Sequence, residues 1–173
     1  MHIVANLGLM AAATLPTIEK RVLTLKSSDG DEFELEESIA IQSLMIKKMV
    51  EDGCAVGVIP LFNVDTETLT KIIEYLKMHQ LTSNQEEIKN YDKEMVRTNL
   101  KTLFNFLSAA NFLDIMGLLD LCSKAVADRI KHKSIEAVQE MFNITSDFTP
   151  EEEAAIRNEN PHAFEGDFDH SLD

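Results

Sequence analysis

The spacing of apolar residues changes once along this chain, and the change restricts the folds that it can adopt. Between Arg21 and Glu36, apolar and polar residues alternate on both sides of a turn formed by residues 28–31, a pattern that predicts a β-hairpin. From Ser38 onward, most apolar residues recur three or four positions apart, which is the period of an amphipathic helix. The sequence therefore predicts an α+β fold in which a small unit with strands precedes a helical half.

Three segments between the hairpin and residue 80 carry recognisable patterns. They are an amphipathic helix over 38–49, a short apolar strand over 58–64 and a helix over 65–79. Pro60 favours an edge position or a strand end, because proline cannot donate a ladder hydrogen bond. Asp65 or Thr66 can cap the second helix. From Gln80 to Thr98 the apolar pattern fades, and we interpret this stretch as a flexible surface connection.

Four helices are predicted after residue 99. The first two carry apolar stripes at helical spacing, formed by Leu100, Leu103, Phe104, Leu107 and Ala110 and then by Leu119, Cys122, Val126 and Ile130. Ser134 can cap a short third helix. The fourth begins at Thr149, where Pro150 and Glu152 complete a capping box with proline at the first helical position.

The predicted helices after residue 99 differ in how much apolar surface they carry: one has more than its neighbours cover, and another has too little. The second carries Leu118, Leu121 and Ala125 beside its main stripe, which is more than one packed neighbour covers. The fourth has only residues 154–156 as apolar cover, too little to hold a short helix in water. The surplus forms either a second small core or a groove for an apolar helix of another protein, and periodicity alone favours the core.

Charge excludes two classes of partner. The chain carries 16 Lys and Arg against 30 Asp and Glu, a net charge of −14, so it repels phosphate backbones and anionic membrane surfaces. We therefore expect no nucleic acid and no membrane as partners, and no apolar stretch approaches the roughly 20 residues of a membrane helix. The acidic surface suits a basic protein partner or serves solubility, and both interpretations stay open.

Catalytic patterns are not found. The sequence contains no phosphate-binding glycine loop, nucleophile elbow, HExxH motif or Cys/His couple, and its five histidines are dispersed. We expect no enzyme activity, no cofactor, no metal and no small-molecule substrate. Cys54 and Cys122 are far apart in sequence; free thiols in a reducing compartment are favoured over a disulfide.

The two ends of the chain differ from the patterned part. Residues 1–20 are expected to form a flexible extension, and the apolar run after Met1 has no Lys or Arg before it, which argues against a secretory signal. Translation from Met10 would make residues 1–9 an upstream extension. Residues 166–173 are expected to form a solvated acidic tail.

Several short motifs, in order, resemble the Skp family, the adaptors of SCF ubiquitin ligases. The resemblance runs from Val22 to Glu165, and within the family the sequence is most similar to plant members. The motifs include Leu25-Lys26-Ser27-Ser28-Asp29-Gly30, Ile59-Pro60-Leu61, Ala109-Ala110-Asn111-Phe112-Leu113, Gly117-Leu118-Leu119-Asp120-Leu121 and Asp147-Phe148-Thr149-Pro150-Glu151-Glu152-Glu153.

The resemblance implies a BTB/POZ-like α/β unit that docks on a cullin, followed by helices that bind F-box proteins. Its parts would be the BTB/POZ-like unit over 21–80, the connection over 81–98, helices completing that fold over 99–116, and a Skp dimerisation-type region over 117–165. Asn111 and Phe112 match cullin-facing positions. The implied F-box contacts are Leu119, Cys122, Val126, Ile130, Phe142, Ile144, Phe148 and Ile156. A nuclear and cytoplasmic location is also implied.

Some residues depart from the family pattern. The family commonly has a Trp before its terminal Ala-Phe-Glu, and this chain, which lacks Trp, has Pro161-His162-Ala163-Phe164-Glu165 there. Phe112 stands where the family usually has Tyr. The competing interpretation is another BTB-type role, an elongin-C-like adaptor or a transcription-associated oligomer without an F-box groove. Such relatives generally lack the block over 142–153.

Overall fold

The computed structural model describes residues 21–164 and 168–170; the predicted extension over 1–20 lies outside the described residues. The chain begins with the predicted hairpin, in which β1 (Val22–Lys26) and β2 (Glu32–Glu36) are antiparallel. Leu23 faces Leu35 across the ladder, and both side chains are buried. Gly30 has φ of +103° in the turn, a conformation that glycine adopts without steric strain.

A third strand, β3 (Val58–Pro60), pairs parallel with β1, so the strand order is β2-β1-β3. Pro60 therefore lies on an edge strand, as predicted. The sheet buries Leu25 and Ile59, which are opposite each other in the register. These residues form the sheet side of the core.

The helix predicted over 38–49 is in fact two helices, α1 (Glu37–Ala40) and α2 (Leu44–Glu51). The break comes at Ser43, whose buried hydroxyl accepts from the Ile46 N–H at 3.2 Å and donates to the Leu113 carbonyl. The single-helix prediction is wrong because Ser43 caps a new helix, with its hydroxyl oriented by the carbonyl of a residue 70 positions away. Helical spacing of apolar residues continues across the break and conceals it.

The next helix, α3 (Thr66–Leu81), is capped by Asp65, whose carboxylate accepts from the Thr68 N–H at 2.8 Å. It contributes one continuous apolar face to the core, formed by Leu69, Ile72, Ile73 and Leu76. Its fifth buried large side chain is Tyr75. The predicted helix and cap are confirmed here.

The stretch interpreted as a flexible connection contains a helix, α4 (Gln85–Met95), so that part of the prediction is wrong. Asn84 caps it by accepting from the Glu86 N–H at 3.1 Å, and Ile88 is its single buried residue. After the helix, Arg129 donates to the Val96 carbonyl at 2.9 Å. Tyr91 and Met95 of α4 are also partly buried against the core, so the helix is amphipathic. Its apolar residues are few among many polar ones, and the sequence pattern is therefore easily taken for a loop.

The helical half consists of α5 (Leu100–Phe112), α6 (Met116–Ile130), α7 (Ile135–Met141) and α8 (Pro150–Glu159). A 3₁₀ turn over Pro161–Ala163 follows the end of α8. Leu103 and Leu118 are fully buried and join α5 and α6 to the sheet-side core. None of the helices within 21–164 is long and apolar enough to cross a membrane.

The described part of the tail is not solvated throughout. Asp169 forms an isolated parallel bridge with Lys133, and Phe168 is half-buried. The expectation of a solvated acidic tail is therefore wrong for Phe168 and for the backbone of Asp169, whereas Asp169 and His170 keep exposed side chains. An alternating apolar pattern is too short there to have indicated strand pairing.

Candidate protein-binding surface

A groove opens between α7, the loop that precedes α8, α8 itself and Phe164; we call it the C-terminal groove. Its volume is about 250 Å³. Apolar and charged side chains line it together, namely Ile135, Glu136, Gln139, Ser146, Phe148, Glu153, Ile156, Arg157 and Phe164. Phe148 is 58% exposed and Ile135 39% exposed, so large apolar groups face solvent on two walls.

Polar contacts hold the walls of this groove together. Arg157 of α8 donates to the Glu136 carboxylate of α7 at 3.0 Å. The same guanidinium lies 4.4 Å from the centroid of the Phe164 ring, a distance typical of a cation–π contact. Because both charged side chains are more than half exposed, the ion pair contributes about 1 kcal/mol or less.

The helix α8 depends on its cap rather than on burial. None of its ten described residues is buried. Thr149 accepts from the Glu152 N–H at 3.3 Å, and the Glu152 carboxylate accepts from the Thr149 N–H at 2.8 Å. That backbone hydrogen bond, followed by the bond from the Thr149 hydroxyl, holds the pKa of Glu152 below its ordinary value. The prediction of a capping box on a helix without apolar cover is confirmed.

The α6 stripe is divided between the core and the surface. Leu119 and Val126 are half-buried against the core, and Ile130 is half-buried near the end of the helix. Cys122 is 0% exposed, so the prediction that it contacts a partner is corrected: its thiol belongs to the chain's own core. Burial raises the pKa of Cys122 to about 11.

The predicted contacts beyond α6 occupy different positions. Phe142 is half-buried and packs edge-to-face on Phe104 of α5, with ring centroids 5.2 Å apart. Ile144 is 54% exposed. Phe148 and Ile156 meet in the C-terminal groove. The structure thus brings two of the predicted residues into one cavity and anchors a third to α5.

A second surface lies at the other end of α5. Exposed Asn111 and half-buried Phe112 line a broad depression with residues of α2 and the loop that follows it, including Met45 and Cys54. We call this the α2–α5 depression. The Leu44 N–H donates to the Asp114 carbonyl at 3.2 Å, so the start of α2 fixes the position of the corner after α5.

Sequence reasoning did not identify Glu136, Arg157 or Phe164 as groove residues. The ion pair joins positions 21 apart in sequence, a separation that no helical or strand period reveals. The available signal was weaker: the charged side chains of α7 are all acidic, and Arg157 is the single basic side chain of α8. Ion pairing between them is one way to hold such helices together.

Comparison with known proteins gives two family matches. Residues 21–81 match the tetramerisation domain of the Skp1 family, and residues 116–163 match the dimerisation domain of the same family. The first match confirms the BTB/POZ-like unit predicted at the N-terminal side. Together the matches cover both regions that the sequence motifs indicated.

Plant proteins of similar length match over most of the chain. SKP1-like protein 4 of Arabidopsis thaliana is 47% identical over 84% of this chain and 98% of its own. SKP1-like protein 1 of Oryza sativa subsp. japonica is 45% identical over 85% of this chain and 97% of its own. SKP1-like protein 14 of Arabidopsis thaliana is 48% identical over 83% of this chain and 97% of its own. This chain therefore belongs to the Skp1 family.

Proposed function

We propose that this chain is the adaptor subunit of an SCF ubiquitin ligase and bridges a cullin to an F-box substrate receptor. Membership of the Skp1 family supports an adaptor role rather than an enzymatic one. The observation that carries the bridging step is the presence of two separate surfaces, the C-terminal groove and the α2–α5 depression. A protein with two such surfaces can hold two partners at once.

The C-terminal groove is the proposed F-box site. Phe148 and Ile135 present apolar area to solvent, and Ile156 closes the groove from α8. An apolar helix in such a groove buries these side chains and removes them from water. Binding would also supply the apolar cover that α8 lacks in the free chain. The further contacts proposed on α6 are Leu119, Val126 and Ile130, with Phe142 and Ile144 beyond it.

The α2–α5 depression is the proposed cullin site. Asn111 is exposed and offers an amide that both donates and accepts hydrogen bonds, while Phe112 gives an aromatic contact. Phe112 lacks the hydroxyl of a tyrosine, so its contact is apolar and loses one hydrogen bond. Binding there leaves the C-terminal groove open.

The mechanism is tethering. A receptor-bound substrate held on one surface and a cullin held on the other raise the local concentration of substrate at the ligase. This requires no bond-making group in the adaptor. We also propose a nuclear and cytoplasmic location, where SCF ligases would act.

Two substitutions test the separation of the surfaces. Phe148→Asp places a charge in the C-terminal groove, and because Phe148 is 58% exposed the variant should fold. We expect it to lose F-box capture in a pull-down and to keep cullin capture. Asn111→Lys should give the reverse result, because it changes only the α2–α5 depression.

Phe62→Asp is the matched control for the groove variant. Phe62 is 77% exposed in the loop after β3 and lines neither surface. It receives the same charge and should leave both captures unchanged. If Phe148→Asp still captures F-box domains at wild-type affinity, the groove assignment is wrong.

A further inference from the structure

Residues 168–170, which we call the strap, lie against the junction between α6 and α7. The Asp169 N–H donates to the His132 carbonyl at 2.8 Å, and the Ser134 N–H donates to the Asp169 carbonyl at 3.0 Å. These bonds make a parallel bridge between Asp169 and Lys133. The backbone of residues 132–134 therefore binds an extended segment through hydrogen bonds, as the edge of a β-sheet does.

The positive charge of Lys133 favours an acidic residue in a segment bound at this edge. The Lys133 Nζ lies 2.6 Å from the Asp169 carboxylate oxygen Oδ2. The side chain of Lys133 is only 4% exposed, whereas that of Asp169 is 51% exposed. A buried ammonium group is favourable only beside anionic or polar acceptors. An extended segment with a carboxylate opposite Lys133 therefore suits the site.

The strap adjoins the C-terminal groove. Phe168 and His170 of the strap line a cavity together with Ser134, Ile135, Glu136, Arg157 and Phe164. The last four of these side chains also line the groove. A partner helix that contacts them meets the strap at the same place.

We propose that the edge at residues 132–134 is a binding site for an extended acidic segment, that the strap occupies it in the free chain, and that an F-box displaces the strap. The inference rests on the proposed function of the groove. The strap then competes with the partner from within the same chain. Because the side chain of Asp169 is half exposed, displacement is feasible for a partner that covers the groove.

Competition of this kind lowers the apparent affinity by the fraction of chains that are open. A strap that is closed about nine-tenths of the time weakens binding about tenfold. Removing it should therefore tighten F-box binding about threefold to tenfold. Asp169→Asn keeps the backbone bonds and loses the ion pair, so its gain should be smaller.

Calorimetric titration with several purified F-box domains tests the proposal. The full chain is compared with a variant that ends at Gly166 and with Asp169→Asn. Glu86→Gln on α4 is the control, because it removes the same charge from an exposed side chain remote in sequence from both groove and strap. We expect tighter binding for the truncated chain, a smaller gain for Asp169→Asn and none for Glu86→Gln.

Hydrogen exchange of the free chain reports the strap without any partner. The Ser134 amide should be protected in the full chain and lose protection in the truncated one, since its acceptor is the Asp169 carbonyl. Equal or weaker F-box binding after truncation would overturn the competition, as would an unprotected Ser134 amide in the full chain. If no F-box domain binds either form, the proposed function itself is wrong and the competition falls with it.

Discussion

Replacing Thr149 by Ala should open α8 without unfolding the rest of the chain. The substitution removes the hydroxyl that accepts from the Glu152 N–H, and it leaves the backbone bond from residue 149 to the Glu152 carboxylate in place. Loss of a threonine N-cap destabilises a helix by about 1 kcal/mol. None of the described residues of α8 is buried, so little else opposes this loss.

A loss of about 1 kcal/mol raises the opening equilibrium of α8 about fivefold. Native-state hydrogen exchange should therefore show α8 amides exchanging about fivefold faster. The free energy of global unfolding in urea should change by less than about 0.5 kcal/mol, because the core is untouched. Thr145→Ala, at an exposed threonine of the preceding loop, is the control and should change neither quantity.

The reasoning would be refuted if Thr149→Ala lowered global stability by the full amount while α8 exchange stayed in step with the core. That result would mean that α8 unfolds together with the core. Unchanged exchange in α8 would also contradict the capping argument. In either case the view of α8 as a helix completed by its partner would have to be abandoned.

Acid should have the same local effect. The pKa of Glu152 in the folded chain lies below its ordinary value of 4.5 because its carboxylate accepts hydrogen bonds from Thr149. The contribution to stability is therefore complete above about pH 4.5 and is lost as the pH falls through the lower folded pKa. The protection factors of the α8 amides, which are corrected for the slower intrinsic exchange at low pH, should fall in that window, and Glu152→Gln should weaken this pH dependence.

Three further outcomes follow from the geometry. A Cβ at Gly117 would lie 2.9 Å from the Tyr75 hydroxyl oxygen, so Gly117→Ala should lower stability to urea by about 1–3 kcal/mol; failure of Tyr75→Phe to recover part of it would exclude this clash. A thiol reagent at pH 8 should modify exposed Cys54 quickly and buried Cys122 only after unfolding; two fast thiols would contradict the core position. His162→Trp should tighten binding to at least some F-box domains, because a buried aromatic anchor contributes about 2 kcal/mol; unchanged dissociation constants across a panel would exclude it.

Elements specified by neighbouring residues could be predicted from the sequence. The hairpin has alternating apolar residues and a glycine turn, and β3 carries Pro60 at an edge. The caps at Asp65, Ser134 and Thr149 are short-range hydrogen bonds between residues three positions apart. Each of these signals lies within a few residues, so composition and spacing are enough to reveal it.

Features that depend on distant partners could not be predicted in the same way. The break at Ser43 depends on the Leu113 carbonyl, and the end of α4 is held by Arg129. Cys122 lies on the stripe that was assigned to a partner, but periodicity cannot tell which side of a helix with two apolar sides packs inward. The structure shows that Cys122 lies on the side of α6 that packs into the chain's own core.

The candidate site contains both kinds of feature, those specified by neighbouring residues and those that depend on distant partners. The apolar members Phe148 and Ile156 follow from the motifs, and the structure places them in one groove. The ion pair between Glu136 and Arg157 joins two helices and has no sequence period. Asp169 of the strap is equally remote from Lys133 in sequence.

The proposed bridging requires that one chain hold a cullin and an F-box protein at the same time through two surfaces. Sedimentation velocity of the purified chain mixed with a cullin N-terminal domain and an F-box domain measures this directly. We expect a single complex with one copy of each protein, in which neither partner displaces the other. Exclusion of the F-box domain by the cullin domain, or failure of either to bind, would contradict it.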